Sequence, residues 1–291
     1  MEIALTHAKS NSPPKLVRYF GSIMDAHQKR LSIGGSLAEA IKAKEFSAHY
    51  QPQFDLKTDR LVGCEALSRW HSSGLGQISP ELFIDIAERM NLLAALDMGL
   101  LGSVLRFSNQ LPAVQQDISL SVNASPSNIL DTGYLDQLIG LSKELPNWVS
   151  LEVEITENAL ISEDQSLRQG MLRLQHANIS MALDDFGSGY SNLKYLSSYP
   201  FEKLKLDRSL LQDIEKSPRN AVLISATIDL AHRLGLKVVA EGIETAYQHR
   251  WLKDAGCDLG QGYFLSRPLS EKDSPALLGS LGPDFQQIRD L

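Results

Sequence analysis

The sequence predicts an α/β protein whose strands close into a modified TIM-type (β/α)8 barrel with one antiparallel strand. From about residue 47, strand-like apolar runs alternate with amphipathic helical segments, which is typical of βαβ units and a mostly parallel sheet. Eight such runs favour a closed barrel over an open sheet. The predicted strands are His49–Leu56, Leu61–Leu67, Ile118–Val122, Val149–Ile155, Ile179–Leu183, Lys203–Leu206, Lys237–Ala240 and Tyr263–Leu265.

The connection between the first two predicted strands is too short for a parallel pair. Only the residues from Lys57 to Arg60 separate these strands, whereas a parallel crossover needs about a dozen residues. We therefore expect this pair to be antiparallel, which is an irregularity for a barrel of the TIM type.

Helical periodicity marks the segments between the strands and the start of the chain. Before residue 45 we expect a helical piece at Ile3–Lys9, a short strand at Leu16–Phe20 and a long helix with a break at Gly34 and Gly35. The helices predicted between strands are Pro80–Met90, Ala94–Gln110, Ser166–His176, Ala221–Leu234 and Ala246–Ala255.

Composition indicates which partners and which cellular compartment we expect for this protein. The chain has 291 residues and a formal net charge of -7, which does not favour binding to DNA or RNA polymers. Cys64 and Cys257 are interpreted as reduced thiols in the core. Because no apolar segment of about 18 residues or leader-like start is visible, we expect a cytoplasmic protein without membrane contact.

Asp184 and Asp185 stand together at the end of a predicted buried strand and are followed by Phe186–Gly189. Successive strand residues point to opposite faces, so the two carboxylates can reach two positions. Two anions there are costly unless cations or hydrogen-bond donors meet them, and a divalent metal site is the simplest explanation. A helix-capping turn remains the alternative for the pair taken alone.

Polar side chains also follow most of the other predicted strands. In a barrel of this type, catalytic groups gather at the carboxyl ends of the strands. Taken singly, each has a simpler interpretation, such as a solvated glutamate or a surface ion pair. Together, so many carboxylates would repel one another without cations. The residues are Glu65, Arg69, Asn123, Glu154, Glu157, Lys205, Asp207, Glu241, Glu244 and Gln261, besides the aspartate pair.

The ligand types predict the metal. Carboxylate and amide oxygens, without cysteine or histidine, favour Mg²⁺ or Mn²⁺ over zinc. Two such ions about 3.5–4 Å apart form a known clamp for the hydrolysis of phosphodiesters. We therefore expect two Mg²⁺ or Mn²⁺ ions.

An ordered series of motifs resembles the EAL-domain family of cyclic di-GMP phosphodiesterases, from about residue 36 to 270. The resemblance implies the fold of that family, a barrel with one antiparallel strand. The motifs are Tyr50-Gln51-Pro52, Glu65-Ala66-Leu67, Val122-Asn123-Ala124-Ser125, Glu154-Ile155-Thr156-Glu157, Asp184-Asp185-Phe186-Gly187-Ser188-Gly189-Tyr190-Ser191, Lys205-Leu206-Asp207, Ala240-Glu241-Gly242-Ile243-Glu244-Thr245 and Gln261-Gly262-Tyr263.

The resemblance also implies a role for each matched residue. One metal would be held by Glu65, Asn123, Glu154 and Asp184, and the second by Asp184, Asp185 and Glu241. The residues implied in catalysis are Glu65, Lys205 and Glu241, of which Lys205 would hold the attacking water. Glu157 would anchor the loop from Phe186 to about Leu193. The residues implied around the substrate are Gln51, Leu67, Arg69, Asp207, Glu244 and Gln261.

Family members cut cyclic di-GMP to linear pGpG, and the resemblance implies this activity and a homodimer. A catalytically silent cyclic di-GMP receptor and a phosphodiesterase for another nucleotide remain open. Residues 1–35 are similar to the tail of a GGDEF domain with a linker helix, and residues 36–291 form the predicted EAL phosphodiesterase domain. On this interpretation the chain is the carboxy-terminal part of a GGDEF-EAL protein, and an ordinary helical extension is the alternative for the first residues.

Overall fold

The computed structural model describes residues 21–111, 117–160, 165–188 and 194–273. The described residues divide into two compact units, one with residues 21–46 and Arg69–Leu96, the other with Ser47–Ser68 and the described residues from Asp97 to Asp273. The helices are α1 (Gly21–Lys42), α2 (Pro80–Arg89), α3 (Leu93–Ser108), α4 (Pro126–Leu130), α5 (Thr132–Ser142), α6 (Gln165–His176), α7 (Lys194–Ser198), α8 (Arg208–Leu211), α9 (Pro218–Arg233) and α10 (Ala246–Asp254). The strands are β1 (Phe46–Asp55), β2 (Arg60–Ser72), β3 (Gly76–Ile78), β4 (Ile118–Asn123), β5 (Val149–Thr156), β6 (Ser180–Phe186), β7 (Lys203–Leu206), β8 (Lys237–Ala240), β9 (Leu259–Gly260) and β10 (Leu269–Ser270).

The smaller unit packs α1 and α2 around an apolar core that includes Trp70 and Phe83. The predicted break at Gly34 and Gly35 is wrong, because α1 runs without interruption through both glycines. Ile33 and Leu37, one turn apart, are fully buried in this core. Their burial outweighs the cost of about 1 kcal/mol that each helical glycine carries.

The larger unit is a closed barrel of eight strands in the order β1-β9-β8-β7-β6-β5-β4-β2, completed by pairing of β1 with β2. The pairs from β2 through β4 to β9 are parallel, whereas β1 is antiparallel to β9. The predicted fold class and the antiparallel first strand are therefore confirmed.

The barrel interior is polar, unlike its outer layer. Along β5, Glu152 and Glu154 share one face, and the buried apolar residues Leu151 and Val153 share the other. Lys203 and Lys205 alternate with Leu204 and Leu206 in the same way on β7. Apolar packing is thus left to the face that contacts the helices, which frees the interior for charged groups.

The predicted eighth strand at Tyr263–Leu265 is wrong. The observed strand is β9, which lies just before Gln261 and pairs with β8 and β1. The predicted segment is a turn, in which the Leu265 amide donates to the Gly262 carbonyl at 3.0 Å. Its apolar side chains imitate a strand, but the close-packed Gly260 places the pairing segment earlier in the chain.

The helices predicted between strands are confirmed, with ends that shift by a few residues. The helical piece at Ile3–Lys9 and the strand at Leu16–Phe20 lie outside the described residues. Across the described ranges, no helix combines the length and apolarity needed to cross a bilayer.

A substitution at Gly63 on β2 tests how closely β2 and β4 approach each other. A Cβ at this position would lie 2.5 Å from the backbone oxygen of Ser119 on β4. We expect Gly63→Ala to lower the free energy of unfolding by about 1–3 kcal/mol in urea titrations. Gly99→Ala is the control, because Gly99 has open space around it in α3 and the change should be neutral or stabilise by up to about 1 kcal/mol. Equal stability of the two variants would contradict the close approach.

Candidate metal centre

The end of β6 departs from regular strand geometry where the aspartate pair lies. The pairing of β6 with β7 shifts register between Leu183 and Phe186. Asp185 has a φ of 57°, a conformation that aspartate tolerates better than most residues. As a result, the carboxylates of Asp184 and Asp185 converge on one site instead of following the strict alternation that we expected.

The ammonium group of Lys205 lies at the centre of the carboxylates. Its Nζ is 2.5 Å from Oε2 of Glu154, 2.7 Å from Oε1 of Glu241 and 3.1 Å from Oδ1 of Asp184. The Oε2 of Glu65 lies 3.6 Å away. Because Lys205 is only 1% exposed, these carboxylates replace water around its charge.

Amide side chains fix the orientation of Glu65. Asn123 donates from Nδ2 to Oε1 of Glu65 at 2.9 Å. On the other side, Gln261 donates from Nε2 to Oε2 of Glu65 at 2.6 Å and to Oε1 of Gln51 at 3.1 Å. Both oxygens of this buried carboxylate therefore have a donor.

Opposing effects set the ionisation of Glu65 and Lys205. Burial acts to raise the pKa of Glu65, but the Lys205 charge and the hydrogen bonds from Gln261 and Asn123 outweigh it, so this pKa lies below its usual value. Burial acts to lower the pKa of Lys205, and the surrounding carboxylates, Glu154 foremost, raise it well above its usual range. Lys205 is thus held in its charged form.

Three of the neighbouring carboxyl groups bind protons more tightly than usual. Burial and the charge of Glu65 raise the pKa of Glu154 well above its ordinary value. Burial raises the pKa of Glu241 to about 8. Burial and the charge of Asp184 raise the pKa of Asp185 to about 6. Burial is the largest cause of these shifts, and the negative charge that remains beside a single ammonium adds to it.

The donor set fits divalent cations. One oxygen each of Asp184, Asp185 and Glu241 lies within 4.8 Å of the others. Among the described residues, Oε1 of Glu154 is buried without a hydrogen-bond partner. A buried carboxylate oxygen without a donor and excess negative charge are what hard cations such as Mg²⁺ and Mn²⁺ satisfy.

The structure brings together the six side chains for which metal binding was predicted. Lys205 is surrounded by Asp184, Glu154, Glu65 and Glu241. Asn123 is hydrogen-bonded to Glu65, and Asp185 is hydrogen-bonded to Asp184. The last bond runs from the Asp185 amide to Oδ1 of Asp184 at 2.9 Å.

The residues predicted around the substrate are placed less uniformly. Asp207 caps α8 by accepting from the Ser209 amide, and its charge contributes to the raised pKa of Asp185. The Glu244 amide donates to Gln248 at 2.7 Å. Arg69 belongs to the smaller unit. Leu67 is partly buried on β2.

The anchoring role predicted for Glu157 remains a prediction. This residue is buried at the start of a 3-10 turn after β5. Residues 189–193 of the loop that it would anchor lie outside the described residues.

Two interior features escaped the sequence analysis. Gln53 donates from Nε2 to Oε1 of Gln261 at 3.0 Å. Lys203 forms an ion pair of 2.8 Å with Glu152, one layer below the pair of Lys205 with Glu154. Strand alternation was the available signal, because each missed residue lies two positions from a predicted site residue.

Binding of a divalent cation should release protons from the raised carboxyl groups. Affinity for Mn²⁺ is expected to rise with pH through the pKa of Asp185, about 6, and that of Glu241, about 8, because only the deprotonated forms bind metal. Calorimetric titrations at several pH values, in buffers of different ionisation enthalpy, measure both effects. The Glu241→Gln variant should lose the rise near pH 8 and keep that near pH 6. An affinity independent of pH would contradict this assignment.

Comparisons with known proteins place the chain in a family. The EAL domain family model matches residues 35–268. Cyclic di-GMP phosphodiesterase PA2567 of Pseudomonas aeruginosa is 37% identical over 254 residues, which are 87% of this chain and 43% of that protein. Cyclic di-GMP phosphodiesterase RocR of the same organism is 36% identical over 242 residues, 81% of this chain and 62% of that protein.

A solved structure of the PaMucR phosphodiesterase in complex with c-di-GMP has the same fold, with a TM-score of 0.76 and 28% identity. The match covers 84% of this chain and 99% of that one. The chain spans only 40% to 62% of the length of three curated relatives that it matches. The match of the family model over most of its residues shows that the chain belongs to the EAL domain family.

Proposed function

We propose that the chain hydrolyses cyclic di-GMP to linear pGpG with the help of two divalent cations, Mg²⁺ or Mn²⁺. The observation that carries this proposal is the carboxylate cluster around Lys205 at one end of the barrel. Relatives named as cyclic di-GMP phosphodiesterases, and a related structure in complex with c-di-GMP, support the choice of substrate.

The carboxylates would hold the cations. Glu65, Asn123, Glu154 and Asp184 would hold one ion, and Asp184, Asp185 and Glu241 the other. Ions bound there would polarise the phosphodiester and lower the pKa of a nearby water. In the reaction, the water oxygen bonds to phosphorus as one ester P–O bond breaks, and the proton that the water gives up is balanced by the proton that the released ribose oxygen takes up.

Lys205 would orient the attacking water as a hydrogen-bond donor. The surrounding carboxylates raise its pKa and keep it an ammonium, so we assign it the role of a donor and not that of a base. Glu154 and Glu241 fix its position through short ion pairs. A donor held in place before the reaction stabilises developing negative charge without reorganisation.

Six further residues would contact the substrate or support the metal ligands, namely Gln51, Leu67, Arg69, Asp207, Glu244 and Gln261.

Purified chain with cyclic di-GMP and either Mg²⁺ or Mn²⁺ should produce pGpG, detected by chromatography. Binding without turnover under both metals, with the folded state verified, would replace the proposal with that of a silent receptor. Competition with other cyclic nucleotides separates it from a phosphodiesterase of different specificity.

Glu65→Ala is expected to abolish turnover. Loss of a metal ligand removes several kcal/mol of stabilisation of the transition state, so kcat should fall by at least about 10³-fold. Glu202→Ala is the matched control, since Glu202 is exposed just before β7. Turnover in the Glu65 variant close to that of the control would refute the ligand role.

Lys205→Met should separate metal binding from chemistry. At saturating Mn²⁺ we expect kcat to fall by about 10²–10³-fold, the usual effect of losing one positioned donor, while calorimetry still detects metal binding. Lys253→Met is the control, because Lys253 pairs with Asp59 at the partly exposed surface and should keep full activity. An unchanged kcat in the Lys205 variant would contradict its proposed role.

We further propose that residues 1–35 form the end of a GGDEF domain and a linker helix, followed by the EAL domain at residues 36–291. The greater length of the curated relatives supports a multidomain protein. The uninterrupted α1, which passes through residue 35, supports a helical linker. A homodimer is proposed from the family resemblance, and light scattering of the purified chain tests it.

A further inference from the structure

Gln53 on β1 reaches the metal centre through a second glutamine. It is 1% exposed, and its Nε2 donates to Oε1 of Gln261 at 3.0 Å. Gln261 in turn donates to Glu65 at 2.6 Å and to Gln51 at 3.1 Å. Gln53 is therefore two hydrogen bonds away from Glu65, although it lies outside every motif that carries the family resemblance.

The hydrogen-bonding capacity of each group allows one orientation of these amides. The Glu65 carboxylate only accepts, so the NH₂ group of Gln261 must face it. The carbonyl oxygen of Gln261 then faces Gln53, which must present its own NH₂ group. A reversed Gln261 amide would place a carbonyl oxygen against the carboxylate and remove its donor.

The main chain of Gln261 is held by hydrogen bonds on both sides, so that only its side-chain torsions remain free. Its amide donates to the Ala240 carbonyl at 2.9 Å, and its carbonyl accepts from the Ile243 amide at 3.1 Å. The next residue, Gly262, lies so close to Ile243 that a Cβ would be 2.2 Å from the Ile243 nitrogen. The main chain is held on both sides, and Gln53 and Gln51 hold the amide end.

We propose that Gln53 is a positioning residue that fixes the Gln261 amide and thereby aims the Glu65 carboxylate at a bound metal. The proposal rests on the metal-binding role proposed above for Glu65. Gln53 also lines a cavity of about 620 Å³ together with Lys237, the first residue of β8, at the opposite end of the barrel from the carboxylates.

Two substitutions of Gln53 test this role by calorimetry with MnCl₂ and no substrate. Gln53→Glu places an acceptor against the Gln261 carbonyl, and we expect Mn²⁺ affinity to fall by about 10- to 100-fold, as for partners of metal ligands elsewhere. Gln53→Met removes the donor without charge and should cause a smaller loss. An added negative charge acting through electrostatics alone would instead tighten binding.

Gln175→Glu is the matched control for the charge change. Gln175 is exposed and lines the same cavity, and Mn²⁺ affinity should remain that of the unaltered chain. Circular dichroism verifies the fold of each variant. If Gln53→Glu does not fold, Gln53→Met decides the question.

A double-mutant cycle shows whether Gln53 acts through Gln261. In a Gln261→Met background, Gln53→Met should change Mn²⁺ affinity no further, because the intermediate amide is absent. Equal effects of Gln53→Met with and without Gln261, or wild-type affinity in the folded Gln53 variants, would overturn the proposal.

The role of Gln53 and the proposed cleavage of cyclic di-GMP can fail independently of each other. An unaltered chain that binds Mn²⁺ but does not cleave cyclic di-GMP would refute the activity, while the affinity comparison would still decide the role of Gln53. An unaltered chain without Mn²⁺ binding would overturn both.

Discussion

The buried ammonium of Lys205 is the interaction on which the polar interior of the barrel depends. A charge without water is tolerated only where opposite charges and hydrogen bonds replace its hydration, and Glu154 and Glu241 do this at 2.5 and 2.7 Å. The same arrangement leaves more carboxylates than one ammonium can neutralise, and this repulsion adds to burial in raising the pKa of Glu241. Cation binding at this cluster would therefore also stabilise the folded chain, because the unfolded chain has no assembled site.

Alternation along the strands makes such an interior compatible with a stable fold. The side chains of a TIM-type barrel interior are usually branched and apolar. Here Glu152 with Lys203 and Glu154 with Lys205 form two successive layers of ion pairs. The apolar residues between them, such as Val153 and Leu204, are fully buried on the opposite face. Hydrophobic stabilisation thus comes from the outer layer of strands and helices, which leaves the inner layer available for binding groups.

Much of this arrangement could be predicted from the sequence, and the failures have identifiable physical causes. Long, regular strands such as β5 and the short first connection were read correctly, because periodicity and connection length are local properties. The two-residue β9 was missed, since its pairing depends on close-packed glycines and not on apolar side chains. The convergence of Asp184 and Asp185 needs a register shift and a positive φ, which no alternation pattern encodes. The contacts of Lys205 join strands far apart in the chain, so spacing alone could not reveal them.

The reversed direction of β1 explains why Gln53 escaped a search of strand ends. In the parallel strands, the residues near the metal centre lie at the carboxyl end, as Asn123 does on β4. Because β1 runs the opposite way, Gln51 lies nearer to the centre, and Gln53 and Asp55 lie towards the cavity at the other end. A rule that looks only beyond the last residue of each strand therefore overlooks β1. The two-residue spacing of Gln51 and Gln53 places both glutamines on one interior face, and together they provide the acceptor and the donor that hold Gln261.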